Sequence, residues 1–288
     1  MPTIDQDQLR AFETVVRAGN FTRAARELHL SQPALSRRVA NLEEHFGALL
    51  LERRRARVKL TPTGRDVLAY AEAQRVLEDE LSAQLAPTGT PSGVVRLAGL
   101  SSLVPPVVLP ALAPYLRAHP GVQVELHNIE TVQLARELAE GGVDMTLSDL
   151  PAHLAGIVDE HLGDEEYVMM ESRRHAGRRD VFLDTSPADR VTEQFFAAQA
   201  ARLRPARYQR SFLHDEPGIL LGVELGLGRA VKPRHTASPA VRIDESYRPM
   251  RKPVYLQVRR QRFVGRVQRA VQEILVGAVR KVVRPRRG

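Results

Sequence analysis

Apolar positions in the first sixty residues repeat with a helical period and then shift to short, strand-like runs. Leu9, Phe12 and Val16 fall at i, i+3 and i+7, which predicts a one-sided helix over residues 5–18, closed by Gly19-Asn20. Thr22 reads as the N-cap of a short helix through Leu28, and Ala24-Ala25 permit close packing. After a turn at His29-Leu30, Ser31 reads as the cap of a third helix that tolerates Pro33 in its first turn. Leu35, Val39 and Leu42 mark the buried face of that helix, and Gly47 marks its end. Leu49-Leu50-Leu51 and Val58-Lys59-Leu60 then predict two strands flanking Arg53-Arg54-Arg55-Ala56-Arg57.

A single long helix is predicted next, capped by Thr61, opened by Pro62 and ended by the Pro87–Pro91 stretch. Val67, Tyr70, Leu77, Leu81 and Leu85 lie within one arc of it, with Gln74 as the polar break. A long helix with one apolar seam and no adjoining core calls for a partner helix.

From Gly93 onward, strands alternate with helices. The expected strands are Val94–Ala98, Val122–His127 and Asp144–Ser148, separated by helices at about 103–118 and 131–140. A second series follows, with strands Val181–Leu183, Tyr208–Phe212 and Arg229–Val231 and helices at about 189–200 and 216–225. Tyr167–Met170 and Val254–Arg259 are expected to cross between the two halves, and a last helix at about 263–282 to return to the first. Alternation of this kind predicts a mostly parallel α/β sheet in two lobes. The expected division is a head at 1–61, a linker helix and hinge at 62–92, and a two-lobed module at 93–288. Lobe one would hold about 93–168 and 263–288, and lobe two about 169–262.

Composition narrows the function classes. The chain has 288 residues, no cysteine and a net charge of +8, so disulfides and thiolate metal sites are excluded. No apolar run is long enough to span a bilayer and the N-terminus lacks a signal-like apolar stretch, so a cytoplasmic, non-membrane protein is expected. The charge is localised. Residues 51–60 carry five basic residues against Glu52, and the tail carries Arg280, Lys281, Arg284, Arg286 and Arg287, which leaves the remainder near neutral. A localised basic segment next to a helical pair is what a phosphate-contacting surface requires.

The polar side of the third helix carries Gln32, Pro33, Ser36 and Arg37 near its N-terminal end, with Arg38 alongside. Arginine pairs with guanine, glutamine with adenine, and a proline ring meets a thymine methyl. Together with the arginines at Arg53, Arg54 and Arg55, which would reach phosphates or a narrow minor groove, this is the outline of a winged helix-turn-helix that binds double-stranded DNA. In the α/β part, ligands bind beyond the carboxyl ends of strands. That rule selects Ser101, Ser102, Asn128, Thr131, Ser148, Asp184, Thr185 and His214 as candidate effector contacts. Helix N-termini and hydroxyls there would suit a small carboxylate, whereas Asp184 argues against a purely anionic guest. An enzyme is disfavoured: the chain has no G-x-S-x-G, P-loop, strand-bound G-x-G-x-x-G or H-E-x-x-H, and its histidines lack metal spacing. No cofactor or metal is expected. A structural, nucleoid-type DNA binder is the alternative, although it has no need of a two-lobed sensor.

The run F-T-R-A-A-R-E-L-H-L-S-Q-P-A-L-S-R-R, followed by L-E-E-H-F-G, L-L-L-E-R-R and L-T-P-T-G, resembles the DNA-binding domain of the LysR-type transcriptional regulators. Leu51 stands where many members carry phenylalanine. The resemblance implies base contacts at Gln32, Pro33, Ser36 and Arg37, and backbone or wing contacts at Ser31 and Arg53. It implies a homodimer through paired linker helices on a pseudo-palindromic operator, assembly to a homotetramer, a small-molecule effector and contact with RNA polymerase. The effector module would consist of two Rossmann-like lobes resembling type 2 periplasmic binding proteins. The strand-Ser-Ser-helix start, H-P-G-V-Q-V-E-L and G-L-G-R-A-V-K-P fit that module, with Lys232 standing where an aliphatic residue is usual.

Overall fold

The computed structural model describes residues 3–54, 57–85, 91–127, 129, 131–175, 178–261 and 264–284. Its head contains α1 (Gln6–Ala18), α2 (Phe21–Glu27) and α3 (Gln32–Phe46), followed by β1 (Leu51–Arg54) and β2 (Arg57–Leu60). Each boundary has a local cause. Asp5 Oδ1 accepts the Asp7 N–H at 2.8 Å, and α1 ends on Gly19 at φ 74°. Asn20, not Thr22, caps α2: its Oδ1 accepts the Arg23 N–H at 2.8 Å, which starts the helix two residues earlier than expected. Ser31 caps α3 as expected, and Gly47 closes it at φ 61°. Leu9, Phe12, Leu35, Val39 and Leu42 are buried together; in α1 the buried valine is Val15, with Val16 only partly covered. The antiparallel hairpin pairs Leu51 with Leu60, so Leu50, Leu51 and Leu60 seal the core while Leu49 faces solvent.

Helix α4 (Pro62–Leu85) follows directly, with Thr61 Oγ1 accepting the Gly64 N–H at 2.9 Å. Its first turns belong to the head, because Val67, Leu68 and Ala71 are buried in the same core. Further along, Tyr70, Leu77 and Leu81 are about half exposed. The expected seam is therefore divided: Val67 is spent inside the chain. The Leu85 side chain lies outside the described residues.

The α/β part comprises β3 (Gly93–Gly99), a π-helical turn at Val104–Val108 running into α5 (Leu109–Ala118), β4 (Val122–His127), α6 (Thr131–Ala139) and β5 (Met145–Ser148). Next come β6 (Ile157–Ser172), β7 (Val181–Asp184), α7 (Val191–Ala197), β8 (Gln209–Phe212), α8 (Glu216–Glu224), β9 (Ala230–Pro233), β10 (Val241–Ile243), β11 (Met250–Arg259) and α9 (Arg266–Val282). Strand β3 pairs in parallel with β4 and β5, and β7 in parallel with β8. The mostly parallel expectation fails at the centre. The two crossing strands β6 and β11 are antiparallel to each other, and β11–β5, β6–β9 and β6–β10 are antiparallel too. The chain leaves lobe one on β6 and re-enters it on β11, so opposite directions follow from a single excursion. Lobe one's core joins the parallel strands to Val254 and Leu256 of β11 and to Val271, Leu275 and Val279 of α9. Lobe two packs Val168 and Met170 against Val181, Leu183, Ile219 and Val223. Among the described residues no helix is long and apolar enough to cross a membrane.

Candidate nucleic-acid interface and ligand cleft

The recognition surface is built from the inside outward. Leu35, Val39 and Leu42 fix one face of α3, which leaves Gln32, Pro33 and Arg37 exposed and Ser36 half-buried on the other. Ser31 Oγ accepts the Ala34 N–H at 3.3 Å and fixes the first turn from which these side chains project. Arg38 lies 3.2 Å from Asp7 Oδ2, an ion pair that ties α3 to the start of α1. Strand β1 carries Arg53 and Arg54, whose side chains lie outside the described residues, as does all of Arg55.

The linker helix is coupled to lobe one by a buried ion pair. Glu72 of α4 receives Arg259 Nη2 at 2.7 Å and Gln261 Nε2 at 3.3 Å. Arg259 ends the crossing strand β11, and its Nη1 donates to the carbonyls of Leu138 and Val143 at 2.8 and 3.2 Å. Burial pushes the Glu72 carboxyl above the ordinary carboxylate range, against the pull of Arg259. Linker helix, crossing strand and lobe one thus share one polar joint.

The expected effector residues separate into two groups. Ser102, buried after β3, donates its hydroxyl to Glu165 Oε1 at 2.9 Å, and Ser101 beside it is exposed. Thr131 opens α6 and is half-buried, while Asn128 lies outside the described residues. Ser148 closes its own turn, exchanging hydrogen bonds with Leu150 O (2.9 Å) and Leu150 N (3.1 Å). Asp184 is committed elsewhere: it accepts Thr192 Oγ1 at 2.6 Å and pairs with Arg210 Nε at 2.5 Å, so its acidity says nothing about a guest. Thr185 donates to Asp189 Oδ2 at 2.7 Å, and His214 is exposed at a left-handed position, φ 57°.

A polar cluster between the lobes escaped the sequence reading. Tyr167 OH lies 3.4 Å from Glu165 Oε2, and His235 Nε2 lies 2.9 Å from the Ser102 carbonyl oxygen and 3.6 Å from Glu165. Lys252 of β11 pairs with Asp149 at 2.5 Å, with Nζ 5.5 Å from the Tyr167 ring centre. Lys232, the unexpected cation in β9, is buried and pairs with Glu216 Oε2 at 2.9 Å. Its presence in an otherwise apolar strand was the one signal in the sequence, and its partner sixteen residues earlier was not legible. Burial raises the Glu165 carboxyl to about 7, opposed by the Ser102 hydroxyl, and lowers the His235 imidazole.

Comparison with known proteins agrees with this geometry. Residues 6–65 match the family model of the bacterial regulatory helix-turn-helix protein, lysR family, and residues 88–280 match the LysR substrate binding domain. The RuBisCO operon transcriptional regulator of Allochromatium vinosum is 29% identical over 93% of this chain and 94% of its own length. The probable HTH-type transcriptional regulator LrrA of Synechococcus elongatus is 31% identical over 81% of this chain and 82% of its own length. The crystal structure of ArgP from Mycobacterium tuberculosis superposes with a TM-score of 0.73 at 21% identity, covering 99% of this chain and all of that one, which shows a shared fold. With a DNA-binding head and an effector-binding module matched in sequence and built in the expected order, the chain belongs to the LysR family of transcriptional regulators.

Proposed function

We propose that this regulator reads a pseudo-palindromic operator through Gln32, Pro33, Ser36 and Arg37, with Ser31, Arg38 and the wing residues Arg53, Arg54 and Arg55 gripping phosphates. The observation that carries this reading is the exposed polar end of α3, held by the Ser31 cap and by three buried side chains beneath it. Two heads are needed for such a site. The half-exposed Tyr70, Leu77 and Leu81 on α4 supply a surface for a second copy of the helix, and Leu221, Leu225 and Leu227 of lobe two offer a further apolar face for a homotetramer. An activating regulator of this build would act by presenting RNA polymerase with a rearranged dimer on the promoter. The effector is proposed to bind between the lobes, near Ser101 and Ser102, and to act through differential affinity for two arrangements of the crossing strands.

The test is fluorescence anisotropy on labelled DNA flanking the gene, with a scrambled duplex as control. Arg37→Ala is expected to weaken operator binding about ten- to hundredfold, the loss of one paired base contact, and to leave scrambled-DNA binding intact. Equal affinity of the variant and the wild type for the operator would remove α3 as the reading element. Wild-type binding that fails to distinguish operator from scrambled DNA would favour a structural DNA binder.

A further inference from the structure

Glu165, in the interlobe cluster, has no lysine or arginine ion-pair partner among the described residues. Two buried carboxylates, Glu165 and Glu216, and the partly buried Asp149 face two lysines. Lys252 is matched by Asp149 and Lys232 by Glu216, which leaves Glu165, among the described residues, with the Ser102 and Tyr167 hydroxyls as its donors. His235 does not fill the gap. Its Nε2 lies in hydrogen-bonding range of the Ser102 carbonyl, and burial favours the neutral ring. Asp189, near Lys232, is a further acid, held by the Thr185 hydroxyl and the Val191 N–H. A second observation points the same way: Glu216 Oε1 is buried without a hydrogen-bond partner among the described residues, although Oε2 of the same carboxylate is paired. A buried acceptor and a buried carboxylate lacking a cation are each costly on their own, and one cationic donor would relieve both.

We infer that the effector is a small molecule carrying one positively charged amine or guanidinium group, accepted by Glu165 with Glu216 as the second acceptor. The inference rests on the interlobe cleft being the effector site, and it gives that site a charge preference opposite to a carboxylate guest. The residues come from both lobes and from both crossing strands, so a bound cation would draw Ser102 and Glu165 toward Glu216 and bias β6, which pairs with the strand that ends in Arg259.

The experiment is isothermal calorimetry on the full chain. Methylguanidinium and butylammonium serve as cationic probes, methylurea as the neutral counterpart of methylguanidinium, and butyrate as the anion. At least one cation is expected to bind saturably, with methylurea at least about tenfold weaker than methylguanidinium if methylguanidinium is that cation, and butyrate not at all. Glu165→Gln, which keeps the hydroxyl contacts, should weaken cation binding about ten- to hundredfold. Wild-type affinity should rise between about pH 6 and about pH 8 as Glu165 ionises, and the variant should lose that rise. Ser101→Trp, placed at the exposed mouth, should block binding. Butyrate binding that Ser101→Trp abolishes, or no saturable binding by any cation, overturns the charge inference and leaves the cleft in place. Cation binding untouched by both substitutions places the site elsewhere and removes the cleft reading as well.

Discussion

Breaking the Glu72–Arg259 pair should uncouple the linker from lobe one, at a cost that can be worked out from its surroundings. Both side chains are about nine-tenths buried, with 12% of each exposed. Removing one member of such a pair leaves an uncompensated buried charge and costs about 3–5 kcal/mol, unlike exposed pairs worth a few tenths. Glu72→Ala should fall at the lower end, because Arg259 keeps its bonds to the Leu138 and Val143 carbonyls. Arg259→Ala should fall at the upper end, since it strands Glu72 and both carbonyls together. Glu72→Leu combined with Arg259→Met removes both charges and should cost less than the sum of the singles, giving a coupling of about 2 kcal/mol or more. Urea titrations followed by circular dichroism measure the cycle. Operator anisotropy on the same proteins should show intact DNA binding, because neither residue lies in the head's reading face. Strictly additive effects, or single losses below about 1 kcal/mol, would refute the joint as an energetic coupling.

Three further outcomes are expected. Leu77→Asp with Leu81→Asp places two charges on the half-exposed α4 surface and should shift sedimentation toward a smaller species; a wild-type profile would reject the dimer seam. Glu165 has a folded-state pKa raised from 4.5 to about 7, so the folded protein holds the proton more tightly, and stability from this group is greatest at low pH and falls as pH rises through that window. The fall should reach about 3 kcal/mol and be missing from Glu165→Gln when the two urea midpoints are compared across pH. Gly64→Ala would set a Cβ 2.1 Å from the Leu50 backbone carbonyl oxygen and should destabilise the head by about 2 kcal/mol or more in thermal melts; a neutral effect would show that the start of α4 shifts freely.

The head was legible because its signals are local. Ser31, Gly47 and Thr61 each act within three or four residues of themselves, and the periodic leucines report burial directly. Thr22 misled only because Asn20, two residues earlier, is the better-placed acceptor. The crossing strand was half hidden: only Tyr167–Met170 was expected, whereas the strand runs over Ile157–Ser172 and takes in the acidic stretch Asp164, Glu165 and Glu166, of which Glu165 is fully buried. Its burial depends on pairing with β11 nearly ninety residues later, for which no short-range pattern exists. The pairing of Asp184 was hidden for the same reason, since Arg210 reaches it from the neighbouring parallel strand.

The excursion of the chain through lobe two also governs the order in which the protein can assemble as it is made. The head's core is complete once Ala71 has emerged, and lobe two's strands arrive as one continuous block. Lobe one waits, because Val95, Leu97, Met145 and Leu147 are covered only when β11 and the Val271–Val279 face of α9 appear. At roughly 5–20 residues per second, that interval is on the order of ten seconds, during which an apolar strand face and an unpaired edge of β5 stand open. The sensing module is therefore the last part of this regulator to close, and its nascent lobe one is the segment whose apolar face stands open longest.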